Sequence, residues 1–230
     1  MNELMGRVLE FQRDIFPNQS ELYELLASEG QSPKALMISC ADSRVVPEEI
    51  LLARPGDLFV CRNAGNIVPP FEENNGGVSS TVEYAVAALG VRDIIVCGHS
   101  DCGAMKALVR PEPLKGMPSV TAWLRHSHAA REVVQGSYFQ LDDRDRARAA
   151  SMENVVVQLA HLRTHPSVAA AIARGDLALH GWFFDIGAGQ VLALDGETGR
   201  FRPIAANRPM PVALAARRRL AAAEMEAAIA

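Results

Sequence analysis

Three short apolar runs, ALMIS (35–39), DLFVCR (57–62) and DIIVCG (93–98), alternate with segments of helical spacing. That alternation narrows the fold more than any other feature of the chain. Runs of this length, bounded by polar residues and turn signals, read as buried strands. After the first, PEEILL opens a short helix with Pro47 at a first-turn position that tolerates proline. After the second, VSSTVEYAVAALG (78–90) sets Val82, Ala85, Val86 and Leu89 at helical spacing, with Gly90 as a stop. Strands that alternate with helices make crossover units, so the expected fold is α/β, a mainly parallel β-sheet flanked by helices.

The rest of the chain extends this pattern. Residues 3–29 have an amphipathic period broken near FPNQS, which predicts an N-terminal arm of two helices. A helix follows from Cys102, and SVTAWLRHSHAAREVV and SMENVVVQLAHLRTHPSVAAAIARG are mostly helical. A late strand pair, LALHGWFFDIG and QVLALD, adds to the sheet with GAG as its turn region. No internal repeat or low-complexity linker interrupts residues 1–230. The chain is therefore expected to form one domain, with a helical arm (1–33), a core (34–206) and a C-terminal helical tail (207–230).

Composition excludes several classes of function. A chain that is 49% hydrophobic can bury a sizeable core and does not read as disordered. A formal net charge of -4 gives no general pull toward nucleic acid. Arg217, Arg218 and Arg219 lie close to Glu224 and Glu226 and read as a solvated helix face. No apolar stretch approaches the ~20 residues that span a bilayer, so no membrane contact is expected. The acidic, amphipathic N-terminus is not a signal peptide. Four cysteines, at 40, 61, 97 and 102, are too few and too scattered for a disulfide framework. In a cytoplasmic chain they are metal ligands or buried thiols.

Two of the apolar runs end abruptly in reactive residues. MISCADSR (37–44) places Cys40, Asp42 and Arg44 just past one strand, and GHSDCG places His99 and Cys102 just past another. In open α/β sheets, functional groups gather beyond the carboxyl ends of strands. Two thiolates, an imidazole and a carboxylate make a tetrahedral zinc set. Cys61 and Cys97 lie inside apolar runs and read as buried. Strand alternation nevertheless puts Cys97 on the same face as His99, so spacing leaves it open as a ligand. His161 and His165 have the i, i+4 spacing of a helical metal pair, but HLRTH has no catalytic glutamate between them. These two, His126 and His128 read as structural or surface residues, and His180 as a satisfied sheet histidine.

CADSR and GHSDCG, with PGDLFVCRNAGNIVPP and GGVSSTVEYAVAALGV between them, resemble the β-class carbonic anhydrases. The likeness is to the bacterial form associated with cyanate metabolism and to its plant relatives, and it runs on through HPSV, LALHGW and LDGETGRF. The resemblance implies one Zn2+ per chain, held by Cys40, His99 and Cys102, with Cys97 outside the ligand set. It implies that Asp42 either joins the metal as a fourth ligand or pairs with Arg44. In the paired form Asp42 orients a zinc-bound hydroxide that attacks carbon dioxide to give bicarbonate. It further implies a substrate pocket of Gln31, Phe59, Ala64, Tyr84 and the Gly103 amide, part of it supplied by a neighbouring subunit of a homodimer or higher homo-oligomer. One subgroup of the family shuts down by binding bicarbonate beside a Trp, an Arg and a Tyr. Here those positions are Met37, Arg62 and Phe184, so no such shut-off is expected. Two other readings are a zinc lyase acting on another heterocumulene such as carbon disulfide, and a zinc-stabilised scaffold protein. The Asp42–Arg44 pair, Gln31 and Tyr84 weigh against the scaffold.

Overall fold

The computed structural model describes residues 1–72 and 76–205. The chain begins with helices α1 (Asn2–Glu10) and α2 (Ser20–Glu29), parted by a π-helical turn and a 3-10 turn that ends at Asn18. Strand β1 (Ala35–Cys40), helix α3 (Pro47–Ile50), strand β2 (Leu58–Asn63), helix α4 (Gly77–Glu83) and strand β3 (Asp93–His99) follow. Five helices come next: α5 (Gly103–Val109), α6 (Pro118–Leu124), α7 (His128–Ser137), α8 (Asp143–Leu162) and α9 (Pro166–Arg174). Strands β4 (Ala178–Asp185), β5 (Gln190–Asp195) and β6 (Arg200–Pro203) close the described chain. The helical tail expected over 207–230 lies outside the described residues.

All six strands join one sheet in the order β2-β1-β3-β4-β5-β6. The first four are parallel, and β5 and β6 are antiparallel. Central strands of a parallel sheet are covered on both faces and so carry continuous apolar sequence. β1 is buried at every residue and β3 at every residue after Asp93. One face holds Leu36, Ile38, Ile94 and Val96 against Val155 and Leu159 of α8. The other holds Met37, Ile95, Cys97 and Trp182.

Strand β6 is an addition to the expected pair. Asp195 Oδ1 accepts the amides of Glu197 and Thr198, at 3.0 and 3.2 Å, and Gly199 has φ +66°. An aspartate that caps its own turn, followed by a left-handed glycine, folds the chain back into a hairpin. Two other glycines set how close α8 comes to the sheet. A Cβ on Gly98 would lie 2.9 Å from Val155 Cγ2 and 3.0 Å from the Ser151 carbonyl. One on Gly181 would lie 2.9 Å from Val155 Cγ1.

The arm touches its own core only lightly, through half-buried side chains of α2 such as Leu26, which lies against Gly56. Neither α1 nor α2 has a buried residue, and Leu4, Met5, Val8 and Leu9 are each more than half exposed.

Candidate metal centre

β1 and β3 are neighbours, yet β1 continues into β2 on one side and β3 continues toward β4 on the other. Their carboxyl ends therefore frame the crevice where the strand order reverses. Cys40 ends β1, His99 ends β3, and Cys102 is the residue just before α5. Their ligand atoms all lie within 4.8 Å of one another, and all three residues are buried.

The His99 ring orients itself for a ligand. Nδ1 lies 2.8 Å from the Ser100 carbonyl, which can only accept, so Nδ1 carries the proton and Nε2 keeps its lone pair. Nε2 is buried with no hydrogen-bond partner. A buried lone pair left unanswered beside two thiols fits a cation rather than another protein group. The two thiols support this fit. Cys102 holds the Cys40 thiol well below its usual range, and Cys40 pushes the Cys102 thiol well above. A cation bound there favours both thiolates. Two sulfurs and one imidazole nitrogen are the donor set of a borderline-soft, tetrahedral metal, and zinc fits it.

Cys97 points to the same face as His99 but two residues deeper in β3, among Met37, Ile95 and Trp182. Burial pushes its thiol up to about 12, and it lies outside the metal-capable group.

Beside this group, Asp42 and Arg44 form a two-pronged pair. Arg44 Nε donates to Asp42 Oδ1 at 2.9 Å, and Nη2 donates to Oδ2 at 2.8 Å. The Arg44 amide adds a third bond to Oδ1 at 3.0 Å. The guanidinium holds the Asp42 carboxyl well below the usual carboxylate range, and Asp42 raises Arg44 in turn. A further residue grips Arg44 from the opposite loop. Asp101, between His99 and Cys102, accepts Arg44 Nη1 at 2.8 Å. It also pairs with Lys106. In the sequence Asp101 reads as a spacer within the ligand motif. Only its charge, facing an arginine in the other motif, marks it out.

Helix α8 fastens both loops of the crevice. Ser151, Asn154, Gln158 and His161 recur at intervals of three and four residues and so share one face. Ser151 Oγ donates to the His99 carbonyl at 2.8 Å and accepts the His99 amide at 3.2 Å. Asn154 Nδ2 donates to the Gly65 carbonyl at 2.9 Å, while its Oδ1 accepts Ser127 Oγ at 2.7 Å. Gln158 Oε1 accepts the Val68 amide at 2.9 Å, and His161 Nδ1 lies 2.8 Å from the Val68 carbonyl. Fixed in this way, the Gly65 amide donates to Cys40 Sγ at 3.4 Å. The signal for this row was a polar residue on successive turns of the face that also carries Ala147, Ala150, Val155 and Leu159. His161 and His165 serve structure: His165 Nε2 lies 3.0 Å from the Pro69 carbonyl. His180 Nε2 meets Asp93 Oδ1 at 2.7 Å across the sheet.

The expected pocket residues divide into two sets. Gly103 opens α5 next to Cys102, and Ala64 precedes Gly65, its carbonyl held by Trp123 Nε1 at 2.8 Å. Phe59 pairs with Leu36, four residues before Cys40, which is about 13 Å along the strand. Its ring lies 5.9 Å from that of Tyr84, which is half exposed. Gln31 precedes the amino end of β1 and is exposed. Within one chain, then, Gln31, Phe59 and Tyr84 stand apart from the crevice. Arg62 is engaged locally, donating to the carbonyls of Cys40 at 3.1 Å and Asp42 at 2.7 Å. Met37 is fully buried, and Phe184 lies opposite His99 in the sheet.

Comparison with known proteins agrees with this geometry. The family profile described as carbonic anhydrase matches residues 35–191. A carbonic anhydrase of Pseudomonas aeruginosa is 51% identical over 205 residues, covering 89% of this chain and 92% of the relative. The solved structure of the β-carbonic anhydrase CcaA superposes with a TM-score of 0.86 at 43% identity, covering 90% of this chain and 93% of that one. A structure from work on two tetrameric β-carbonic anhydrases of Sordaria macrospora gives a TM-score of 0.65 at 32% identity, covering 84% and 92%.

Proposed function

Because this chain belongs to the β-class carbonic anhydrases, we propose that it interconverts carbon dioxide and bicarbonate at a zinc ion held by Cys40, His99 and Cys102. The observation that carries the reading is the unpartnered His99 Nε2, buried with two thiols beside a carboxylate that an arginine has already claimed. Bound there, zinc supplies a Lewis acid that makes water a nucleophile near neutral pH.

The chain's own groups do the rest. Asp42 Oδ1 already takes two hydrogen bonds from Arg44, whereas Oδ2 takes one. A carboxylate oxygen has two lone pairs, so Oδ2 keeps an acceptor site. That site holds the nucleophile's proton and leaves its reacting lone pair toward carbon dioxide. Arg44 keeps Asp42 from closing on the metal. Two thiolates donate charge and oppose activation of water. The Gly65 amide draws some of that charge back from Cys40 Sγ, as partners of metal ligands commonly do. The Gly103 amide and Ala64 border the same crevice and are placed to receive substrate.

The exposed face of α1 and the distance of Gln31, Phe59 and Tyr84 from the crevice support a homo-oligomer. In it each subunit completes its neighbour's pocket, and the tetrameric relatives of Sordaria macrospora fit this reading. Light scattering on active protein is expected to find dimers or larger assemblies; an active monomer contradicts it. No described helix is long and apolar enough to cross a membrane, and we place the enzyme in the cytoplasm. One sheet carries every described strand, which supports reading the described residues as a single domain.

The Asp42–Arg44 pair also bears on pH. Asp42 is depressed by Arg44 and Arg44 is raised by Asp42. A depressed carboxylate loses its contribution only as pH falls through its folded value, far below neutrality. The pair therefore stays charged from pH 6.5 to 9. With Arg62 committed to backbone carbonyls, no cooperative bicarbonate shut-off is expected. Stopped-flow hydration of carbon dioxide across about pH 6.5–9, with and without added bicarbonate, tests this. A smooth profile supports the reading. A steep loss below pH 8 that deepens with bicarbonate opposes the open-site assignment, and absence of hydration opposes the activity itself.

A further inference from the structure

Arg44 is nearly half exposed, and its grip on Asp42 needs the guanidinium plane to stay where the structure puts it. An exposed arginine held by one carboxylate gains little stability from that pair and keeps much rotamer freedom. Here the guanidinium is clasped from two loops. Nε and one Nη2 hydrogen reach Asp42, while Nη1 reaches Asp101 Oδ2 and Nη2 also reaches the Asp101 carbonyl at 3.3 Å. Four of its five N–H donors are thereby directed.

Asp101 is built for this contact. It is one of three non-glycine residues with positive φ among those described, at +61°. That conformation costs energy for a residue with a side chain, although aspartate tolerates it better than most. It lets the carboxylate and the carbonyl of one residue both engage Arg44. Lys106, one turn into α5, pairs with the other carboxylate oxygen. Lys106 offsets the charge of Asp101, so Asp101 directs Arg44 without drawing it away from Asp42. The order Asp42, Arg44, Asp101, Lys106 alternates in sign from the crevice outward.

We propose that Asp101, braced by Lys106, is a positioning residue for hydration. It fixes the Arg44 guanidinium in the plane that grips Asp42 and so keeps Asp42 off the metal. This rests on the proposed zinc site and its Asp42–Arg44 gate. Because Asp101 lies between two ligands, it couples the ligand loop to the gate, and the open state depends on both loops.

The test compares wild type, Asp101→Gly, Asp101→Asn and Arg44→Ala, each loaded with zinc and, separately, with cobalt(II). Glycine keeps the positive φ without strain and removes the carboxylate. Asparagine keeps the φ and one acceptor oxygen. The readouts are metal content, the hydration rate, and the change in the cobalt absorption spectrum on adding azide, which needs an accessible position on the metal. Asp101→Gly is expected to keep its metal and lose about tenfold in kcat/KM, the scale of one charge-assisted hydrogen bond. Its azide response should shrink toward that of Arg44→Ala, and Asp101→Asn should recover most of both. A merely structural residue would lower the melting temperature without moving the azide response. A wild-type azide response in Asp101→Gly, loss of its metal, or failure of Asp101→Asn to recover overturns the role of Asp101. A wild-type azide response in Arg44→Ala overturns the gate itself, so the two failures are distinguishable.

Discussion

Arg44→Ala is expected to retain metal at the wild-type level while its hydration rate falls by about 100-fold, the scale of losing one preorganised electrostatic group. The ligands have supports of their own, since Cys40 ends β1 and receives the Gly65 amide, His99 ends β3 and is held by Ser151 of α8, and Cys102 directly precedes α5. Asp42 depends on Arg44 almost entirely, with three hydrogen bonds from that one residue. Once the guanidinium is gone, two of those three bonds go with it, only the amide of residue 44 still reaches Oδ1, and the carboxylate has a cation within reach. Metal analysis and stopped-flow rates on one folded sample check the result. Near-normal hydration would show that Asp42 is held off the metal by something else.

Cys40→Ser is expected to lose metal and activity together, falling to the uncatalysed background. Cys61→Ser and Cys97→Ser should keep both. The contrast follows from where the thiols sit. Cys40 shares its crevice with Cys102 and His99 and receives the Gly65 amide. Cys97 is enclosed in the apolar face of the sheet, its thiol pushed up to about 12 by burial. A hydroxyl there costs stability, on the order of 1–3 kcal/mol, but removes no ligand. Metal content after dialysis against a weak chelator separates the outcomes. Release of metal from Cys97→Ser alone would overturn the ligand set.

Much of this was legible in the sequence for physical reasons. Strands covered on both faces leave continuous apolar runs, so β1 and β3 stood out, and their polar ends pointed to the crevice. The local pairs Cys40–Asp42–Arg44 and His99–Cys102 were visible because each lies on one short loop. What stayed hidden depends on distance in the chain. Asp101 acquires a role only when folding brings it to Arg44, 57 residues earlier. Ser151, Asn154 and Gln158 read as ordinary helix residues until α8 docks, close enough to need glycine at 98 and 181. Strand β6 was missed because its turn chemistry, at Asp195 and Gly199, outweighs a weak strand signal in RFRP. Gln31, Phe59 and Tyr84 lie apart from the crevice within one chain, and spacing in the sequence carries no sign of that separation.

The central claim is that a zinc ion held by Cys40, His99 and Cys102 drives carbon dioxide hydration. The most direct test measures zinc content and stopped-flow hydration on the same protein before chelation, after chelation and after zinc is returned. The account predicts about one zinc per chain, as for a single set of three protein ligands with an open position. It also predicts a rate that falls with the metal and returns with it. Full hydration activity in protein free of zinc would contradict it.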